Sequence, residues 1–266
     1  MSFALPVGGP KLYQRDYLMR QIEIAGQMLA RILGLAKGGR RDEALGLFDQ
    51  AYQPLLGVSA RVVSTLSEEQ LLSLLTSGSM PDLRRVATVL EVLKVEADLH
   101  AGAGNRAAAE PRYRRALALA GFLAARSEAL PDATLAADLV ERAATLELSV
   151  AQRIDLARVL EALGRYADAE DALFEAIDAD PDDPGPGRPG GPPIHRGTPS
   201  GFPGPLRGGP RTPPVDTAIA FCQRLLALGP EALAAGGLPL DEVKASLAEL
   251  LGRQRGDVDD DEPPAW

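Results

Sequence analysis

Apolar residues recur along this chain at intervals of three and four, the spacing that stacks side chains on one face of an α-helix. From Tyr13 to Lys37, Leu18, Ile22, Ala25, Leu29, Ile32 and Ala36 follow a 4-3-4-3-4 rhythm, with Met28, Leu33 and Leu35 widening the stripe. Such a helix buries one full face against its neighbours. Gly38-Gly39 stops it, and a second helix over 41–56 carries Ala44, Leu45, Phe48, Ala51, Tyr52 and Leu55, so the pair reads as an antiparallel hairpin. Ser67 and Gln70 form a capping box that opens a short helix through Leu71, Leu72, Leu74 and Leu75. Pro81 opens the next, over 82–100, with Val86, Val89, Leu90, Leu93 and Ala97 on its apolar face. Helices are then expected over 106–126, 133–145, 150–163 and 166–179. Pro111 requires the first of these to begin near Glu110 or to kink. Near the end, Ala218, Ile219, Cys222, Leu225 and Leu226 line one helix, and Leu240, Val243, Leu247 and Leu250 another.

Three of the hairpins share a pattern. Gly39, Ala44, Phe48 and Ala51 stand at the spacing of Gly104, Ala109, Tyr113 and Ala116, and again of Gly164, Ala169, Leu173 and Ala176. Each position has a mechanical reason: glycine turns the chain, the alanines let helices approach closely, and the bulky residue fills the gap between them. The third copy, LGRYADAEDALFEAIDADP from Leu163 to Pro181, resembles the second helix of a tetratricopeptide repeat, with Leu156, Ala157 and Leu160 in the helix before it. The earlier copies lack the closing proline, and Ile32 stands where the repeat wants a small residue. The copies are 65 and then 60 residues apart, against about 34 in a tandem array, so additional helices separate the hairpins. The expected fold is all-α: stacked antiparallel helical hairpins, tetratricopeptide-like, with irregular spacing.

The opening YQRDYLMRQIE, Tyr13 to Glu23, is similar to the start of an uncharacterised bacterial family known only as a domain of unknown function. The similarity extends through AYQPLLG, LSEEQLLSLL, FCQRLLAL and GLPLDEVKASLAELL. It implies the same helical architecture and no known activity.

One stretch breaks the pattern. The segment 181–214 holds 12 Pro and 9 Gly, and no helical periodicity survives in it. A composition of this kind cannot bury enough apolar surface to offset ordering, so disorder is expected, with a reach on the order of 30 Å. From Gly185 to Pro214 it has four Arg, one His and no acid, and Arg, Pro and Gly share codons rich in G and C. Two readings stand: a genuine linker, or a stretch read out of frame. The resulting division is a flexible 1–12, a hairpin domain over 13–180, the segment 181–214, a C-terminal helix pair over 215–255 docking on the main domain, and an acidic tail over 256–266.

Composition narrows the class. There are 42 Ala and 41 Leu against 7 Ile, 14 Val and 8 Thr, which disfavours any sheet architecture. One Cys excludes an intramolecular disulfide framework. The formal charge of −9 is uneven, at +3 over 1–130, −8 over 131–180, +2 over 181–214 and −6 beyond. A nucleic-acid partner is disfavoured because backbone binding needs a concentrated basic stripe. Arg112, Arg114 and Arg115 around Tyr113 are read instead as a solvated face. Apolar runs reach about half the roughly 20 residues of a membrane span, and no targeting segment is visible, so the expectation is a cytoplasmic protein.

Candidate chemistry is sparse. His100 and His195 have no Cys, Asp or Glu at ligand spacing, so no metal or other cofactor is expected. Cys222 reads as a small buried apolar residue, since no His is placed to activate it. GAGNRAA at Gly102 lacks the preceding strand that a phosphate loop needs, and the acidic pair Glu170-Asp171 reads as a solvated face. In the first helix Asp16, Arg20 and Glu23 stand at ion-pair spacing beside Tyr13, Arg15 and Tyr17. These six residues stabilise the helix or form a recognition surface. The expected role is a non-enzymatic helical-repeat protein that binds a protein or peptide, or itself through Leu18, Ile22, Leu29 and Ile32. The alternative is a small-molecule or enzymatic role in a pocket between hairpins.

Overall fold

The computed structural model describes residues 10–76, 81–126, 130, 132–180 and 213–259, with side chains from Asp16 to Gln254. Among the described residues the secondary structure is entirely helical. The chain divides into two compact units, Met1–Leu146 and Glu147–Trp266. The hairpin over 150–178 therefore groups with the C-terminal helices in the second unit.

The first unit holds α1 (Pro10–Lys37), α2 (Arg41–Leu45), α3 (Phe48–Leu56), α4 (Ala60–Thr65), α5 (Glu68–Thr76), α6 (Leu83–Gly102), α7 (Arg106–Ala124) and α8 (Ala133–Ala143). Helices α6 and α7 pair most extensively, α1 lies on α2, α3 and α6, and α7 carries α5 and α8. The expected second helix is split. Gly46 and Leu47 keep right-handed helical dihedrals, but hydrogen bonds tighten from i−4 to i−3, as in Leu47 N–H to the Ala44 carbonyl at 3.1 Å. The short α4 has no sequence expectation behind it, although Ser59 caps it by accepting from the Val62 amide. The Ser67–Gln70 capping box is present, with Gln70 N–H on Ser67 Oγ at 3.1 Å and Ser67 N–H on Gln70 Oε1 at 2.9 Å. Pro111 neither starts α7 nor delays it: Asn105 caps the helix and Pro111 sits in its second turn. The carbonyl four residues before it, which loses its helical donor, belongs to the exposed Ala107 and is open to solvent.

The second unit holds α9 (Val150–Ala162), α10 (Tyr166–Asp178), α11 (Pro214–Leu225), α12 (Pro230–Ala235) and α13 (Leu240–Asp259). Helices α9 and α10 form one hairpin, and α11 packs on α10 and α13. The C-terminal pair is thus a pair plus a short third helix, α12, which Pro230 opens at its first position. Pro214 begins α11 in the same way, so it belongs to a helix and not to the Pro/Gly segment. Helix α13 continues to Asp259, four residues into the expected tail, and α1 begins at Pro10. The remainder of the expected N-terminus, Pro/Gly segment and tail lies outside the described residues.

Three turns repeat one geometry. Gly39, Gly104 and Gly164 have φ of 76°, 77° and 74°, the left-handed region where other residues are strained. The residues after them, Arg40, Asn105 and Arg165, have φ of −89°, −88° and −90°. Each donates its amide to the carbonyl five residues back, Leu35, His100 and Leu160, at 2.9 Å. Beyond these turns Ala44, Phe48 and Ala51, Ala109, Tyr113 and Ala116, and Ala169, Leu173 and Ala176 are all buried.

Candidate functional site

The interior of the first unit holds a polar cluster that begins at Glu96. This residue follows Val89 and Leu93 on the apolar face of α6 and is only 4% exposed. Its carboxylate accepts the Tyr52 hydroxyl from α3 at 2.7 Å and pairs with Arg112 Nη2 from α7 at 2.7 Å. His100, one turn on, stands 3.9 Å away. Burial, then the Glu96 carboxylate, holds the Tyr52 phenol well above its ordinary range, and burial with Arg112 holds His100 below its own. The phenol therefore stays protonated as a donor, and the carboxylate is engaged by a cation and a hydroxyl. Such a cluster pins α3, α6 and α7 together.

Arg115 is also buried and donates from Nε to the Leu66 carbonyl at 2.6 Å and from Nη2 to the Ser64 carbonyl at 2.9 Å. It thereby satisfies carbonyls at the end of α4 from the side of α7. A depression of about 200 Å³ adjoins it, lined by Leu66, Ser67, Glu68, Pro111, Arg114 and Arg115. Further along α6, Asp98 accepts the Tyr113 hydroxyl at 2.7 Å and Lys94 at 2.8 Å, while Lys94 also pairs with Asp138 of α8. The arginines around Tyr113 are thus not a solvated face: Arg115 is 8% exposed, and Arg112 is turned inward to Glu96. Sequence reasoning missed this cluster, though Glu96 lies seven residues from Val89 on the same helical face, which marks a charge inside an apolar stripe.

The outer face of α1 is different. Asp16, Tyr17, Arg20 and Glu23 are exposed, Tyr17 to 66%. The side chains of Tyr13 and Arg15 lie outside the described residues. The ion pairs that spacing suggests for Asp16, Arg20 and Glu23 do not form; their charges face solvent. Tyr17 and Ile24 are exposed, and with the half-buried Met28 and Leu35 they make a second apolar stripe on α1, edged by the exposed Arg20 and Arg31. Of the expected self-association seam, Leu29 and Ile32 are buried within the chain and Leu18 and Ile22 are partly covered. Leu29 and Ile32 are thus taken up inside the chain, where α1 packs on α2, α3 and α6.

In the second unit Cys222 is buried, and burial pushes its thiol up to about 11, far from a thiolate nucleophile. Glu170 is 9% exposed and belongs to the interior, which corrects its reading as part of a solvated pair. Among the described residues no three His, Cys, Asp or Glu side chains are grouped to hold a metal ion. No described helix is long and apolar enough to cross a membrane.

Helices paired through tight glycine turns, with buried charges joining one helix to the next, define an all-α protein of packed hairpins. Within that class, residues 12–184 match DUF6483, a family of unknown function, and the chain belongs to it. The match ends four residues into the Pro/Gly segment and does not reach the C-terminal FCQRLLAL and GLPLDEVKASLAELL segments. No curated protein and no solved structure matches the chain.

Proposed function

We propose that the protein is a non-enzymatic interaction module, cytoplasmic, whose tetratricopeptide-like hairpins present the outer face of α1 to a protein partner. The observation that carries this reading is the stripe of Tyr17 and Ile24, open to solvent, beside the unpaired Arg20 and Arg31. A contiguous apolar line on a surface, bordered by charged groups, is the kind of patch that a protein partner covers. The occupant that fits is an amphipathic helix of another protein. Its apolar face covers Tyr17 and Ile24, and an acidic edge meets Arg20 and Arg31. A second copy of this chain fits less well, because two α1 helices placed antiparallel bring the same arginine edges together.

A photo-crosslinker at position 17 of the full chain, expressed in its own cells, tests this. The expected result is one dominant adduct with a different protein, mapped to an acidic helical segment and lost in Ile24→Asp. Adducts only with the same chain, or none, overturn it. The depression beside Arg115 is the observation that favours a small-molecule role. A metabolite that raises the melting temperature of wild type but not of Arg114→Ala supports that second reading.

A further inference from the structure

The carboxyl of Glu170 is buried without a cation. It projects from α10 into the junction with α11 and α13, and its Oε1 has no hydrogen-bond partner. Asp171 stands beside it on α10. On α11 the Glu170 charge acts on the buried Cys222 thiol. On α13 the Ser246 hydroxyl lies within reach of the carboxyl, and the charges of the exposed Glu242 and Glu249 act on it. The single Ser246 hydroxyl proton is donated to the Glu242 carbonyl at 3.1 Å, so that group answers the carboxyl weakly.

Three arginines of the surrounding helices are engaged elsewhere. Arg224 of α11 donates from Nε and Nη2 to the two oxygens of Glu161 on α9, both at 2.8 Å. Arg253 of α13 pairs with Glu249 at 2.9 Å and Asp178 at 3.6 Å, and Arg153 of α9 pairs with Glu175. Lys244 is exposed on α13. An ionised carboxyl in this position gives up hydration and lies near the like charges of the exposed Asp171, Glu242 and Glu249, whereas the neutral acid gives up much less.

We infer that Glu170 is a proton-operated latch: neutral, it lets α13 seat on α10 and α11; ionised, it loosens α13 and uncovers Val243 and Leu250. Both leucine and valine are buried while the helix is seated. Burial, and after it the charges of Glu242, Asp171 and Glu249, holds the carboxyl above the ordinary glutamate value in the folded chain, against a smaller opposing pull from Ser246. A raised folded value means that the stability is fully present below the ordinary glutamate pKa and is lost as pH climbs through the folded one.

Hydrogen–deuterium exchange of the full chain between pH 4.5 and 9, expressed as protection factors, reads this directly. Protection of 241–254 is expected to be lost progressively with rising pH, while protection of α6 stays level. In Glu170→Gln the fall disappears; in Asp171→Asn, which leaves the buried acid in place, most of it persists. Flat wild-type protection, or an equal fall in Glu170→Gln, overturns the latch. Should Glu170→Gln not fold, Glu170→Met, which keeps the length of the side chain without an ionisable group, must flatten the fall, and an unchanged fall overturns the latch equally.

Discussion

At the scale of single residues, the first unit is held by charges placed where apolar side chains would be expected. Glu96 has little exposure, and its two strong partners come from different helices, Tyr52 of α3 and Arg112 of α7. Removing one member of a buried pair leaves the other charge without compensation, which costs about 3–5 kcal/mol, more than the pair itself contributes. Glu96→Ala is therefore expected to lower unfolding stability by that amount in urea titration. Tyr52→Phe removes one hydrogen bond to a charged group and is expected to cost about 1.5–3 kcal/mol. The order matters more than the values: if Tyr52→Phe proved the worse of the two, the ion pair would not be the centre of the cluster. The sequence displayed Glu96 only as one polar residue in an apolar stripe. Partners 44 residues before it and 16 after it have no local signature, because they arise from packing between helices.

At the scale of elements, turns and caps were the most legible features. Glycine at 39, 104 and 164 signals a helix end through backbone freedom alone, and the same i−5 amide bond follows at each place. The Ser67 box was likewise readable, since both partners lie within three residues. The split between α2 and α3, the short α4 and α12, and the assignment of α9–α10 to the second unit were not. Each is decided by contacts with distant helices. Helix α10 illustrates this, because its N-cap Arg165 makes no side-chain capping bond. The Gly236 carbonyl, from the turn after α12, instead accepts the amides of Tyr166 at 3.0 Å and Ala167 at 3.2 Å. A Cβ at Gly236 would stand 2.6 Å from the Gly164 carbonyl oxygen and within the Tyr166 ring, whereas one at Gly39 would meet nothing. Gly39→Ala is thus expected to cost about 1–2 kcal/mol through its positive φ alone. Gly236→Ala is expected to exceed that, through overpacking and loss of the cap together. Paired urea titrations separate the two, and equal losses would show that the α12 turn does not cap α10.

At the scale of the whole molecule, charge and the Pro/Gly segment set the remaining question. The front of the chain carries +3 over 1–130, whereas 131–180 carries −8 and the C-terminal 52 residues −6. Between the two acidic stretches lies a basic one without acids after Asp183, and the family match stops at residue 184. A linker and an out-of-frame stretch predict the same helices on either side, since α10 ends before the segment and α11 begins after it. They differ only in covalent sequence. Trypsin cleaves after Arg196 and Arg207, both followed by glycine, so a genuine linker must release GTPSGFPGPLR from the protein isolated from its own cells. That peptide is the expected finding. Its absence, alongside good recovery of peptides from α10 and α11, would mean that the native chain passes from the acidic hairpin to Pro214 by another sequence. In that case the latch at Glu170 would stand unchanged, because every group in it comes from α9, α10, α11 or α13.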